Sequence, residues 1–61
     1  MKLLSIINWD GAHLAVALCY ADNAQELVEE VSGTRLSKGS ICYLSTGDVY
    51  ILGDTWNKVG E

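Results

Sequence analysis

The sequence predicts a mainly β fold: a small antiparallel β-meander of about three or four strands, with at most one short helical turn near residues 23–30. Three observations carry this reading. The stretch Ile41–Leu44, Ser45-Thr46-Gly47-Asp48, Val49–Leu52 sets two β-branched and aromatic runs around a turn. Gly33, Gly39, Gly47 and Gly53 read as turn glycines, and the chain has no proline. Its 61 residues, 49% of them hydrophobic, are too apolar for a disordered chain and leave little room for a helix layer.

Taken in order, Leu3–Ile7 is a short apolar run with β-branched Ile6 and Ile7, so residues 1–9 read as a strand or an extended arm. Asn8-Trp9-Asp10-Gly11 follows as a turn. Ala12–Tyr20 is ambiguous. Ala and Leu favour a helix, and Asp10 offers a cap. However, no polar face recurs at helical spacing. As a strand, the segment alternates His13, Ala15, Ala17 and Cys19 with Leu14, Val16, Leu18 and Tyr20. The large set then suits a face packed deep, and the small set a face packed close against a neighbour, so the strand is favoured. Asp22 or Asn23 caps a helical turn within Ala24–Glu30, and Ser32-Gly33 stops it. Thr34–Lys38 is a connector, with Leu36 reaching into the core. The hairpin Ile41–Leu52 closes through Gly47, which takes a positive φ late in a type I turn. Gly53-Asp54 turns again. Thr55–Val59 is a last strand, with Trp56 facing one way and Thr55 and Asn57 the other.

The chain reads as a single small domain over 1–61. A domain of this size buries only about 60% of its unfolded surface, so disulfides, a metal or a partner commonly add stability. The net charge is −4, and Lys2, Arg35, Lys38 and Lys58 form no basic stripe. Nucleic acid is therefore not an expected partner. Asn8, Asp10 and His13 interrupt the N-terminal apolar stretch early, which argues against an export signal. The longest apolar run, Leu14–Ala21, falls far short of a membrane span.

No constellation specifies a reaction. His13 with Cys19 or Cys42 and Asp10 has the residue types of a nucleophilic triad, but nothing in the spacing supports one. Glu29-Glu30, and Asp48 with Asp54, read as solvated surface and turn chemistry rather than as an acid–base pair. The glycines match neither a P-loop nor a dinucleotide fingerprint. With one histidine and no close cysteine pair, a metal site is not expected. Cys19 and Cys42 read as small buried thiols, able to bridge only if they face each other on paired strands. No enzyme, cofactor or small-molecule substrate is expected.

The informative feature is that both faces of the hairpin are apolar. Ile41 and Tyr43 point one way and Cys42 and Leu44 the other; Val49 and Ile51 oppose Tyr50 and Leu52. A half-solvated antiparallel sheet would make one set polar. Scattered surface apolar residues occur in every protein. The functional alternative is that one face builds the core while the other docks on protein. Tyr43, Val49, Tyr50, Ile51, Leu52 and Trp56 are the candidate interface residues, because Tyr and Trp are enriched in interface cores.

The stretch from Ala21 to Val59 resembles small proteins encoded among tailed-bacteriophage structural genes. The resemblance rests on the leader Ala21-Asp22-Asn23-Ala24-Gln25-Glu26-Leu27, then Gly39-Ser40, Tyr43, Thr46-Gly47, Val49-Tyr50-Ile51-Leu52 and Trp56. Val28 stands where many relatives carry proline. The resemblance implies a virion component, capsid-associated as a decoration or fibre type, held by homo-oligomerisation or by contacts with a larger phage structural protein. It implies no catalytic residue. The alternative is a small phage protein that binds and modulates a host protein.

Overall fold

The structure, a computed structural model, describes residues 1–9 and 14–60. Among the described residues seven strands run in chain order: β1 (Lys2–Trp9), β2 (Leu14–Ala21), β3 (Glu30–Val31), β4 (Thr34–Leu36), β5 (Ile41–Leu44), β6 (Val49–Leu52) and β7 (Trp56–Lys58). A single 3-10 turn, Ala24–Glu26, lies between β2 and β3. The mainly β reading holds, and Leu14–Ala21 is strand. The proposed turn at Asn8–Gly11 resolves differently where it is described: Asn8 and Trp9 belong to β1, and Asp10 and Gly11 lie outside the described residues.

The antiparallel meander is corrected. The ladder runs β3–β4–β2–β5–β6–β7, with β1 paired to β2 besides, and β2 is parallel to both β4 and β5. A meander would reverse the chain tightly after Ala21. Instead residues 22–29 carry it back, so that the β3–β4 hairpin lies alongside the beginning of β2. Parallel neighbours need such a crossover. Here it is short and holds one 3-10 turn rather than a full helix. Asn23 caps that turn, its side-chain oxygen accepting from the Gln25 amide at 3.0 Å.

β4 and β5 lie end to end on one edge of β2. Alternate residues of a strand turn their amide groups to the same edge. On that edge Ala15 O accepts from Ser37 N at 2.9 Å, and Ala21 O accepts from Ser45 N at 3.0 Å. Between them the chain bulges away at Ser37–Gly39, and the Ser40 hydroxyl fills the gap by accepting from Ala17 N at 3.2 Å. The same oxygen lies 2.8 Å from Ser37 O and 3.3 Å from Ala15 O, so its proton also has an acceptor. Gly39 makes the bulge with φ +98, a region that penalises any side chain.

Two hairpins flank this line. β3 and β4 join through Ser32-Gly33, both at positive φ (53 and 78), which is the signature of a type I′ turn. β5 and β6 join through Ser45–Asp48, where Gly47 N donates to Leu44 O at 2.9 Å and Leu44 N to Asp48 O at 2.9 Å. β7 returns antiparallel to β6.

The core lies on one side of the sheet, where Ala17, Cys19, Ala21, Cys42, Leu44 and Leu52 cluster with Val31 and Leu36. Met1, Leu3, Leu27, Tyr50 and Trp56 pack around them. The crossover covers this side. Leu27 packs on the cluster, Trp56 Nε1 donates to Val28 O at 3.0 Å, and the N-terminal ammonium meets Glu26 Oε1 at 3.4 Å. The small set of β2 is packed close against its neighbours, as expected, but it is also the deep set, a place the sequence expectation assigns to the large residues. The small residues Ala15, Ala17, Cys19 and Ala21 are the deep ones, at 0–1% exposure, on the side that the crossover covers. Val16, Leu18 and Tyr20 look the other way.

Candidate protein-interaction face

Pairing register assigns every strand residue to a face, since directly paired residues project to the same side. Tyr20 pairs with Tyr43 and Tyr43 with Val49; Leu18 pairs with Ile41 and Ile41 with Ile51. These are two apolar rows crossing β2, β5 and β6 on the side away from the core, and Val16 extends them along β2. Val16, Leu18, Ile41 and Val49 are half-buried by their neighbours within the sheet. Tyr20, Tyr43 and Ile51 are 37%, 43% and 39% exposed. No described segment of the chain crosses this outer face.

Its margins are polar. Lys2, Ser5 and Asn8 of β1 pair with Tyr20, Leu18 and Val16, and all three are exposed. Asn57 of β7 pairs with Ile51 on the far side. At one end Arg35 alternates with buried Thr34 and Leu36, and it pairs with Glu30. An apolar centre inside a polar rim is the anatomy of a protein interface.

The six candidate residues therefore do not share a face. Tyr43, Val49 and Ile51 lie on the outer one. Tyr50 pairs with Cys42, and Leu52 with Trp56, on the core side. Leu52 is buried at 3%, and Tyr50 and Trp56 pack against the cluster. The outer face also holds Val16, Leu18, Tyr20 and Ile41, which the candidate set lacked. Their signal was present in the alternation of the Leu14–Ala21 segment, where the large apolar residues were assigned to the interior.

A second run of exposed apolar side chains lies along β1, where Leu4, Ile6, Ile7 and Trp9 are 53%, 39%, 57% and 46% exposed. Register shifts at Leu4 and at Ile7 make each the extra residue of a β-bulge. Bulges add twist and leave residues unpaired, which blunts a sheet edge against further strand addition. These four residues form a line along one strand, whereas the outer face spans three.

Among the described residues, the two cysteines are the titratable groups whose ionisation the fold clearly shifts. Cys19 and Cys42 pair in register on parallel strands with their thiols free and fully buried. Burial pushes both thiols above their ordinary value of 9.0, Cys42 up to about 11 with the neighbouring Cys19 adding to the rise. A protonated thiol sealed from solvent is not a nucleophile. His13, the residue that a Cys–His arrangement would need, lies outside the described residues. Among the described residues, no group of three or more His, Cys, Asp or Glu side chains is placed to share a metal ion. An open groove of about 480 Å³ runs between Arg35–Lys38 and Leu52–Asp54. Its Lys38 and Asp54 pair with each other at 3.1 Å while standing 76% and 96% exposed. Such a pair in open solvent contributes little and orients nothing. Comparison with known protein families, with curated proteins and with solved structures finds no match to this chain.

Proposed function

We propose that this chain is a structural, assembly-type protein that works by protein–protein contact, without catalysis, and that its setting is a tailed-bacteriophage particle, as a capsid-associated decoration or fibre component. The observation that supports the contact reading is the outer face: seven apolar residues in register across three strands, with polar residues at its margins and no described segment of the chain covering it. Exposed apolar patches of a few hundred Å² with a polar rim mark interaction sites in soluble proteins. Covering this one removes an unfavourable hydration cost of about 25 cal/mol per Å² from a domain too small to have stability to spare.

The virion setting rests on the resemblance of the Tyr43–Trp56 hairpin region and its leader to small proteins of phage structural gene clusters. Quantitative mass spectrometry of purified particles tests it. A structural component remains with the particles in many copies through repeated purification. Its absence from particles, together with recovery on a host protein, would move the reading to a host-binding modulator.

A further inference from the structure

We infer that the partner of the outer face is a second copy of this chain, the two outer faces stacking into a two-layer sandwich. The inference rests on the docking reading above and names the occupant of that same face. Three observations favour a copy.

The first is area. An aromatic side chain offers roughly 200 Å², so Tyr20 and Tyr43 at 37% and 43% exposure leave about 80 Å² each. With Ile51 and the half-buried Val16, Leu18, Ile41 and Val49, the apolar surface comes to roughly 400 Å² per copy. A standard interface takes about 600–1,000 Å² from each partner, of which somewhat over half is apolar. The face and its polar rim together reach the lower part of that range, with no larger partner surface required.

The second is charge. The chain carries eight carboxylate side chains against four cations. Asp22, Glu26 and Glu29 lie in the crossover that covers the core side, and Asp48 and Asp54 lie in turns. Among the described residues the outer face holds one acid, Glu30, and it pairs in register with Arg35. An acidic chain whose outer apolar face is almost free of acid can approach another acidic chain there with little opposition of like charges among the described acids. A strongly charged partner would find on it only Lys2 at the margin and the in-register Arg35 and Glu30.

The third is shape. Strands share one hand of twist, so two identical sheets stack face to face at a small angle with side chains interdigitating. The side chains here are of the kinds that fill such a layer, β-branched residues and Leu at the centre with two tyrosines at one end. A two-fold pairing of one face with itself also closes the assembly at two copies.

Sedimentation equilibrium from about 1 to about 300 µM tests the inference. The expected result for the wild-type chain is a monomer–dimer equilibrium with a Kd on the order of 10 µM, the weak side for an interface of this size. Ile51→Lys should weaken the dimer at least tenfold while the circular dichroism spectrum stays that of the wild type. Tyr43→Arg is the second variant, should the first not fold. Ile7→Lys, on the β1 strip, should leave the dimer unchanged. A wild-type chain that stays monomeric throughout, a trimer or open polymer, or a dimer that Ile7→Lys breaks and Ile51→Lys spares would each overturn the inference. Incorporation into particles separates it from the reading it rests on. If the wild type is monomeric but Ile51→Lys is lost from particles, the face docks on another protein and only the self-pairing falls. If the wild type is monomeric and Ile51→Lys is retained on particles, both fall.

Discussion

Removing the Ser40 hydroxyl is a direct probe of how this sheet is built. Ser40 is fully buried, and its oxygen substitutes for a ladder partner where β4 ends and β5 has not begun. In Ser40→Ala the Ala17 amide loses its acceptor, and Ala17 is itself fully buried, so water does not replace it. Ala15 O keeps its bond from Ser37 N at 2.9 Å, and Ser37 O keeps its bond from Ser40 N at 3.2 Å. The loss is therefore chiefly one orphaned buried donor, about 1–3 kcal/mol. A domain of this size has a total stability of roughly 3–9 kcal/mol, so the substitution removes a substantial share. With a urea dependence of about 1 kcal/mol per molar, the midpoint should fall by about 1–3 M. Equilibrium urea unfolding at a concentration where the chain is monomeric, with hydrogen exchange at the Ala17 amide, measures both effects. Ser45→Ala is the control. Its hydroxyl donates to Asp22 O at 2.7 Å on the exposed surface, where water takes its place, and the expected change is below about 0.5 kcal/mol. If Ser40→Ala shifts the midpoint no more than this control and leaves Ala17 protected, the side chain does not bridge the gap and the end-to-end placement of β4 and β5 is wrong.

Two further outcomes follow from the backbone and the thiols. Ser32 sits at φ 53 in the first central position of a type I′ turn, where asparagine is better tolerated, so Ser32→Asn should raise the unfolding midpoint by up to about 1 kcal/mol in free-energy terms; a lowered midpoint would contradict the turn assignment. The Cys42 thiol is held protonated up to about 11 in the fold but ionises near its ordinary 9.0 when unfolded, so unfolding releases a proton between these values. Stability from this group is intact below pH 9 and falls as pH rises toward 11, by at most about 1.4 kcal/mol per pH unit, with Cys19 acting in the same direction. Urea midpoints measured at pH 8 and pH 10.5 should show a steeper decline for the wild type than for Cys42→Ala. Equal declines would mean that the thiol is not sealed.

How much of this was legible in the sequence depended on how local the cause was. The hairpin Ile41–Leu52 was readable because strand propensity, turn chemistry and a positive-φ glycine agree within a dozen residues. The closing strand around Trp56 was readable for the same reason. The parallel pairing of β2 with β5 was not, because nothing local distinguishes a strand that will be met by a crossover from one that turns back. The Ser32-Gly33 hairpin was read only as a helix stop, since strands of two and three residues carry no periodicity.

The N-terminal segment held a subtler signal. Lys2-Leu3-Leu4, Ser5-Ile6-Ile7 and Asn8-Trp9 repeat a polar–apolar pattern with period three, and the structure explains it. Each polar residue pairs onto the outer face, each apolar residue after it pairs onto the core side, and Leu4 and Ile7 are the bulged extras. A period-two template cannot register that.

The candidate face was half legible. An excess of apolar strand surface over what one small core can hide was visible in the hairpin, and its outward residues Tyr43, Val49 and Ile51 were named. Tyr50, Leu52 and Trp56 were grouped with them because residue type alone does not say which side of a strand a short crossover will cover. In β2, side-chain size misled. Large apolar residues ordinarily mark the deep face, but here the covered side of β2 carries Ala and Cys, and Val16, Leu18 and Tyr20 are turned outward.

The central claim is that the outer face is covered by protein when this chain is at work. Hydroxyl-radical footprinting of Tyr20 and Tyr43, in the dilute isolated chain and in the assembled state, tests it most directly. The account expects both tyrosines to be labelled readily in the isolated chain and protected severalfold on assembly, while Tyr50, already packed on the core side, changes little. Equal labelling of Tyr20 and Tyr43 in the two states would contradict it.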